Sequence, residues 1–413
     1  MTDIIWNYAS VIASGLAGLI LTLLIGSYFG PSTLGAFNFI FAVYIISSQV
    51  ASFGIHHSVL KYIAENSQDT AKRKVVLSSG ILITSFIALM VSASLWLAGS
   101  PVSTFKSSPD LDMGFKLAAI GVFFFALNKV LLAALNAFSR LKEYAAYNTL
   151  RYLLLIVSLV AVILAGNPLN NIAIILPFSE AALSVLLFQA LSSEIRLKKL
   201  ADLKQWLLTH FHFGLRAVGG NVVLDLNTRV DILVLSFFVD DYSVGIYSMA
   251  AILAEAIYQL PIVLRVIYGP RIIEMLARHS LQPILDLVQK LKQRLWCSMA
   301  VISVIGCMLY SKAVPILSGN PEYASGAIAF TILMTGVTIA SGYAPFGLIF
   351  NYSGHPKAQT AMSTLLVLTN FIGNLLLIPF WGIEGAATAT TLAHISFVFL
   401  LKHFSKTLLH LKI

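Results

Sequence analysis

The sequence predicts an all-α integral membrane protein of about twelve transmembrane helices in two six-helix bundles, and three observations carry that prediction. Of the 413 residues, 58% are hydrophobic and 11% charged, with a mean hydropathy of +0.85. Such a chain is too apolar for a soluble domain and too long for one or two anchors. Its apolar runs are roughly 20 residues long without period-two alternation, which suits helices crossing a hydrocarbon core of ~30 Å and excludes an outer-membrane barrel. Read as twelve segments, the chain also places 20 of its 27 Lys and Arg, Arg151 among them, in one alternating set of loops and tails. The other set holds only Lys106, Lys116 and Lys312. The basic set belongs in the cytoplasm.

In chain order the segments are 4 to 29, 34 to 60, 75 to 98, 114 to 138, 148 to 166, 170 to 191, 214 to 239, 243 to 268, 295 to 317, 325 to 350, 359 to 380 and 385 to 406. An even count puts both termini in the cytoplasm. Gly30-Pro31-Ser32, Asn167-Pro168 and Asp240-Asp241 punctuate pairs of apolar runs and predict tight outer hairpins. The start Met1-Thr2-Asp3 lacks the basic region and cleavage site of a signal peptide, so the first run is expected to be a retained span. Two longer basic connections, Ile195 to Leu208 and the stripe Ile284, Val288, Leu291 and Leu295, read as interfacial amphipathic helices or as solvated charged loops. Cys297 and Cys307 lie ten residues apart in one segment, beyond the ~7 Å reach of a disulfide.

A weak internal repeat divides the chain into an N-terminal lobe of residues 1 to 200 and a C-terminal lobe of residues 201 to 413. LLIGSYFGPSTLGAFNF around Gly35 is echoed by VLSFFVDDYSVGIYSM around Gly245 at an offset of 210. Leu135-Asn136-Ala137-Phe138 through Lys142 is echoed by Phe350-Asn351-Tyr352-Ser353 through Lys357 at an offset of 215. Both halves start on the same side, so the repeat is parallel, about an axis along the membrane normal.

Eight charged residues fall at membrane depth: Lys129, Arg216, Arg229 and Arg265 against Glu180, Asp225, Asp231 and Glu255. Each costs ~2.5 to 3.5 kcal/mol at a helix centre, so they are expected to face protein or a wet cavity. Asp225 and Arg229 share a face of the expected seventh helix, and Glu255 on the eighth falls at a depth similar to that of Arg229. Asp225, Asp231 and Glu255 either pin the two helices together or couple to an ion. Arg229 suits an anionic headgroup, as do Arg216 and Arg265 near the inner ends of their helices, where snorkelling is the plainer explanation. Lys129 and Glu180 read first as an ion pair and second as a substrate contact. His56-His57 points two rings to different faces, which suits the interface rather than a metal. Gly219-Gly220, Pro261, Pro345 and Gly347 are positions where helices can bend. No Walker loop, HExxH, CxxC or dinucleotide pattern is present, so neither an enzyme, a cofactor nor a metal is expected. The net charge of +9 sits in short loops against lipid headgroups, which argues against nucleic acid.

The stretches Asn227-x-Arg229-x-Asp231-Ile-Leu-Val-Leu, Val244-Gly245-Ile-Tyr247-Ser248 with Pro261, and Trp381-Gly382-Ile-Glu384-Gly385-Ala-Ala-x-Ala-Thr390 resemble the polysaccharide flippases of the multidrug/oligosaccharidyl-lipid/polysaccharide exporter superfamily. The resemblance spans essentially the whole chain and is greatest to the O-antigen and exopolysaccharide branch. It implies a V-shaped pair of six-helix lobes in the bacterial cytoplasmic membrane. It further implies movement of a polyprenyl-pyrophosphate-linked oligosaccharide to the outer leaflet by alternating access, for cell-surface polysaccharide, with a polymerase and chain-length proteins as further partners. The pyrophosphate is then expected at Arg216 and Arg265 and afterwards at Arg229, with Lys129 as a further contact. Transport is expected to draw on the membrane potential, H+ or Na+. Two other readings remain: a cation-coupled multidrug exporter of the same superfamily, and a non-transporting scaffold for glycan-assembly enzymes.

Overall fold

The computed structural model describes the chain except residues 1, 109, 167–168, 196–199, 227, 279–280 and 412–413, with backbone alone at 2–14, 169–171, 200–202, 220–225, 266, 277 and 281. Every regular element among the described residues is a helix, with no strand. The helices are α1 (Thr2–Ser52), α2 (Ile55–Glu65), α3 (Thr70–Lys106), α4 (Asp110–Ala137), α5 (Leu141–Leu164), α6 (Ile175–Ala190), α7 (Leu200–Leu226), α8 (Val230–Phe238), α9 (Asp241–Ala277), α10 (Leu281–Ser318), α11 (Ala327–Ser341), α12 (Ile349–Tyr352) and α13 (Pro356–Leu408). Nine helices among the described residues are long and apolar enough to cross a membrane. Two of them, α1 and α13, each hold two expected spans joined at Gly30 (φ 80°) and Gly382 (φ 53°), a backbone region that L side chains rarely adopt. The expected seventh span is split between α7 and α8, so all twelve expected spans find a counterpart.

Lipid as the solvent explains how unevenly these helices are covered. In α4, 67% of the most apolar window is buried, whereas in α10 only 11% is. Helix α10 nevertheless presents Val301, Val304, Ile305 and Met308 outward. An apolar helix left this bare would be a liability in water but is stable in hydrocarbon.

The chain forms two compact units, one of residues up to Leu21 with Ala36–Asp225, the other of Thr22–Gly35 with Leu226–Ile413. These bounds differ from lobes of 1 to 200 and 201 to 413 at two places. Helix α7 runs unbroken from Leu200 to Leu226, so the second half of the expected amphipathic linker continues directly into the seventh span. It is fastened to unit 1, where buried His210 bridges the Ser58 hydroxyl (2.8 Å) and the Val76 carbonyl (3.1 Å). The second exchange brings residues 22–35 into unit 2, where the Tyr323 hydroxyl donates to the Gly26 carbonyl at 3.3 Å. The other amphipathic stripe, from Ile284, is likewise continuous with its span in α10. The Asn167-Pro168 hairpin lies outside the described residues; at Asp240 the side chain accepts from the Ser243 amide (2.9 Å) and caps α9.

Both echoes of the internal repeat have structural counterparts. After α4, Arg140 N–H bonds Leu135 C=O at 2.9 Å and Ser139 N–H bonds Asn136 C=O at 2.9 Å; after α12, His355 N–H bonds Phe350 C=O at 2.7 Å and Gly354 N–H bonds Asn351 C=O at 3.3 Å. Each partner is 215 residues from its counterpart, and both turns carry a left-handed residue, Ser139 (φ 60°) and Gly354 (φ 79°). This is the same helix stop made twice. The offset-210 echo meets itself within unit 2. A Cβ on Gly35 would stand 1.8 Å from the Asp241 carbonyl oxygen, and one on Gly245 would stand 1.9 Å from that of Pro31. Residues 31 and 241 correspond, as do 35 and 245, so the contact is reciprocal, as contacts across a twofold are.

Unit 1 packs α3 along α4 and α4 along α6, around a core that includes Ile55, Val59, Leu77, Leu131, Leu135, Leu183 and Leu187. Unit 2 packs α13 against α8 and α11, around Ile272, Ile284, Tyr343, Phe346, Phe350 and Leu401.

Candidate substrate-binding and charge-coupling site

The decisive local feature is the break between α7 and α8. Helix α7 stops at Leu226, Arg229 has φ −135° and ψ −4° and precedes α8, and its amide bonds back to the Leu226 carbonyl at 3.1 Å. The sequence predicts one helix over 214 to 239; instead, the helix is interrupted between Leu226 and Val230. The Asp225 side chain lies outside the described residues. A β-branched Thr and a turn-favouring Asn precede Arg229, but neither Gly nor Pro marks the break, and Gly219-Gly220 sits within α7.

Unit 2 gathers charge beside this break. Asp231, in the first turn of α8, accepts the Tyr247 hydroxyl at Oδ2 (2.6 Å) and its neighbouring Ile232 amide at Oδ1 (2.8 Å). An acid is favoured at that helix end. Tyr247 is fully buried, and its hydroxyl also lies 3.5 Å from Thr390 Oγ1. Asp231, Tyr247 and Thr390 come from three separate stretches that the sequence singles out, and they meet here. Arg229 is half-buried and lies near enough to Asp231 and to exposed Glu255 for its charge to act on both. A guanidinium whose charge reaches two carboxylates is suited to an anion, and the carboxylates to a cation.

The remaining arginines are placed differently. Arg265 gives Nε–H and Nη2–H to the Ala344 carbonyl (3.2 and 3.0 Å), at the 3-10 turn Ala344–Phe346 that interrupts the expected tenth span beside Pro345. Three of its five N–H groups are not used in that pair of bonds. Arg216 is exposed on α7 in unit 1, in a pocket with Lys61. Arg216 and Arg265 therefore belong to different compact units.

In unit 1 the expected Lys129–Glu180 pair is replaced. Glu180 pairs with Arg151 Nε at 3.0 Å, with side chains 1% and 8% exposed, and accepts Asn128 Nδ2 at 2.7 Å. Asn128 is held in turn by Ser184 at 2.8 Å. Lys129 donates to Gln49 Oε1, and the Phe125 ring lies under both cations, 5.4 Å from Lys129 and 4.4 Å from Arg151. Arg151 thus belongs to the buried set rather than to the topology-setting loops.

The polysaccharide biosynthesis protein family matches residues 1–276, about two thirds of the sequence. The chain belongs to that family. No curated protein matches it in sequence. Among solved structures, it resembles the lipid II flippase MurJ in an inward closed conformation, with 17% identity, a TM-score of 0.78, and coverage of 98% of this chain and 88% of that one. An inward-facing multidrug resistance MATE family transporter of the MOP superfamily gives 12% identity, a TM-score of 0.64 and coverage of 95% and 96%. The eukaryotic MATE transporter AtDTX14 gives 12%, 0.64, 98% and 95%. At these identities the likenesses establish the fold alone, the expected all-α membrane architecture of two six-helix bundles. The family member described here is accordingly a multi-pass membrane protein.

Proposed function

We propose that the protein is a flippase for polyprenyl-pyrophosphate-linked oligosaccharide repeat units, moving them from the cytoplasmic to the outer leaflet for cell-surface polysaccharide. The observation that carries this reading is Arg229 at an interrupted transmembrane helix, in a chain of the polysaccharide biosynthesis family. Interrupted helices place ion and headgroup contacts inside transporters, and a guanidinium there suits a pyrophosphate. The glycan then occupies a wet cleft and the prenyl tail remains in lipid. The outward passage of the anion against an inside-negative potential is assisted by ~2.3 kcal/mol per charge per 100 mV. Asp231 and Glu255, two acids beside one arginine, favour a second element of the reading, proton or sodium coupling.

The test is translocation of labelled polyprenyl-pyrophosphate oligosaccharide in liposomes holding the purified protein, with cationic-dye efflux followed in the same vesicles. Glycolipid movement without dye efflux, lost in Arg229→Ala, is the expected result. Dye efflux alone places the protein with cation-coupled exporters, and absence of both makes it a scaffold. Insensitivity of glycolipid movement to proton and sodium gradients removes the coupling role of the two acids.

A further inference from the structure

Unit 1 carries a second cationic feature, on α2 and the part of α7 that precedes the Arg229 break. A pocket of about 730 Å³ lies between α2 and α7, with Lys61 from α2 and Arg216 from α7 on its wall. On α7, Gln205, Thr209, His212 and Arg216 recur at spacings of four, three and four, so they form one polar stripe up a single helical face, ~16 Å long at 1.5 Å per residue. The His212 Nδ1 meets the Leu208 carbonyl at 2.8 Å. That bond requires a proton on Nδ1 and leaves Nε2 as the ring atom available to a ligand.

Beside the polar stripe runs an apolar one. Leu208, Phe211 and Leu215 are 51%, 42% and 59% exposed, and they too recur at helical spacing. The helix carrying both stripes is rigidly seated. His210, which lies off the stripe, bridges to α2 and α3, and a Cβ on Gly214 would stand 2.3 Å from the Phe53 carbonyl oxygen. Lys61 is held over the Tyr62 ring (5.1 Å) and the Phe213 ring (5.9 Å). Its contact with Glu65 is long, 3.8 Å, and half exposed, so it neutralises little of the ammonium's field.

We infer that this α2–α7 pocket binds a lipid-borne anionic phosphate, with Lys61 and Arg216 on the phosphate, Gln205, Thr209 and His212 completing its hydrogen bonds, and the hydrocarbon lying along Leu208, Phe211 and Leu215. A planar guanidinium and an ammonium, backed by neutral polar groups, suit a phosphate or pyrophosphate. The parallel apolar stripe favours one attached to a tail over a soluble ion. Two sources share this chemistry: an anionic phospholipid of the bilayer and the polyprenyl pyrophosphate carrier. The second deepens the flippase reading, since the pocket would then be where cargo is collected.

The experiment is native mass spectrometry of the full chain in detergent with phosphatidylglycerol, undecaprenyl pyrophosphate or zwitterionic phosphatidylcholine added. One anionic lipid per chain is expected to be retained in preference to phosphatidylcholine, and the Lys61→Gln/Arg216→Gln double variant is expected to weaken that retention roughly tenfold or more. The charge-keeping Lys61→Arg/Arg216→Lys variant should retain the lipid, as should Lys357→Gln/Lys406→Gln, which removes two exposed cations of unit 2. Preference for undecaprenyl pyrophosphate identifies the carrier lipid, and equal preference for phosphatidylglycerol identifies a bulk-lipid site. Retention that is equal for phosphatidylcholine, or unchanged in the Lys61/Arg216 double variant, overturns the assignment. Binding is measured without transport, so it can fail while Arg229-dependent flipping stands, and the reverse.

Discussion

Unit 1 and unit 2 each place carboxylates at membrane depth, but they treat them in opposite ways. Glu180 is closed in: an arginine, an asparagine and, behind the asparagine, a serine leave its side chain 1% exposed. In unit 2, Asp231 is only half-buried, Glu255 is exposed, and the arginine beside them stands at a helix break. A deeply buried charge pair serves the fold, whereas partly exposed charges beside an interrupted helix can still be reached by a ligand or an ion. The same residue types therefore do different work according to how deeply the protein buries them.

The largest expected effect comes from opening the closed network. Arg151→Met leaves Glu180 buried without its cation and should cost about 3 to 5 kcal/mol, seen as a fall in the thermal unfolding midpoint in detergent. Adding Glu180→Gln should recover much of it. An unchanged midpoint in Arg151→Met would dissolve the contrast between the two units.

Acidification probes unit 1 at a second polar contact, on the part of α7 that precedes the expected span. Burial holds His210 down at about 4, below its ordinary 6.5, and its neutral ring both accepts from Ser58 and donates to Val76. The unfolded chain binds this proton more readily, so the stability His210 contributes is present above pH 6.5 and lost as pH falls towards 4, by on the order of 3 kcal/mol. His210→Gln should flatten the decline in unfolding midpoint across that range; an equally steep decline would assign it to other groups.

Gly245→Ala tests unit 2 away from its charges. The new methyl meets the Pro31 backbone, and the expected loss is about 1 to 3 kcal/mol in thermal unfolding. The smallest change in stability belongs to Arg229→Ala, under ~1 kcal/mol, because the group is partly exposed. Its transport should nevertheless fall at least about tenfold, equivalent to 1.4 kcal/mol. A large fall in melting point with transport intact per folded molecule would make Arg229 a structural residue like Arg151.

The twelve spans were legible because hydrocarbon imposes its own thickness on every segment, and the repeat was legible where turn chemistry recurs, at Asn136 and Asn351. Arg151 was not. It lies three residues into its expected span, where a basic residue ordinarily sets topology, and its partner is 29 positions along the chain on another helix. Only packing brings that pair together. The convergence of Asp231, Tyr247 and Thr390 was foreshadowed by the stretches they come from, yet their mutual contact depends on how α8, α9 and α13 are arranged. The break before Arg229 escaped because Asn and Thr lower helix propensity by only a few tenths of a kcal/mol, which tertiary packing can override in either direction.

The reciprocal contact of Gly35 with Asp241 and Gly245 with Pro31 is backbone against backbone. Side chains that meet in an interface ordinarily surrender rotamer freedom, up to ~1.5 to 2 kcal/mol for the longest, each time they come together. Glycine has no rotamers to surrender. The two glycines therefore make this contact without fixing any rotamer of their own.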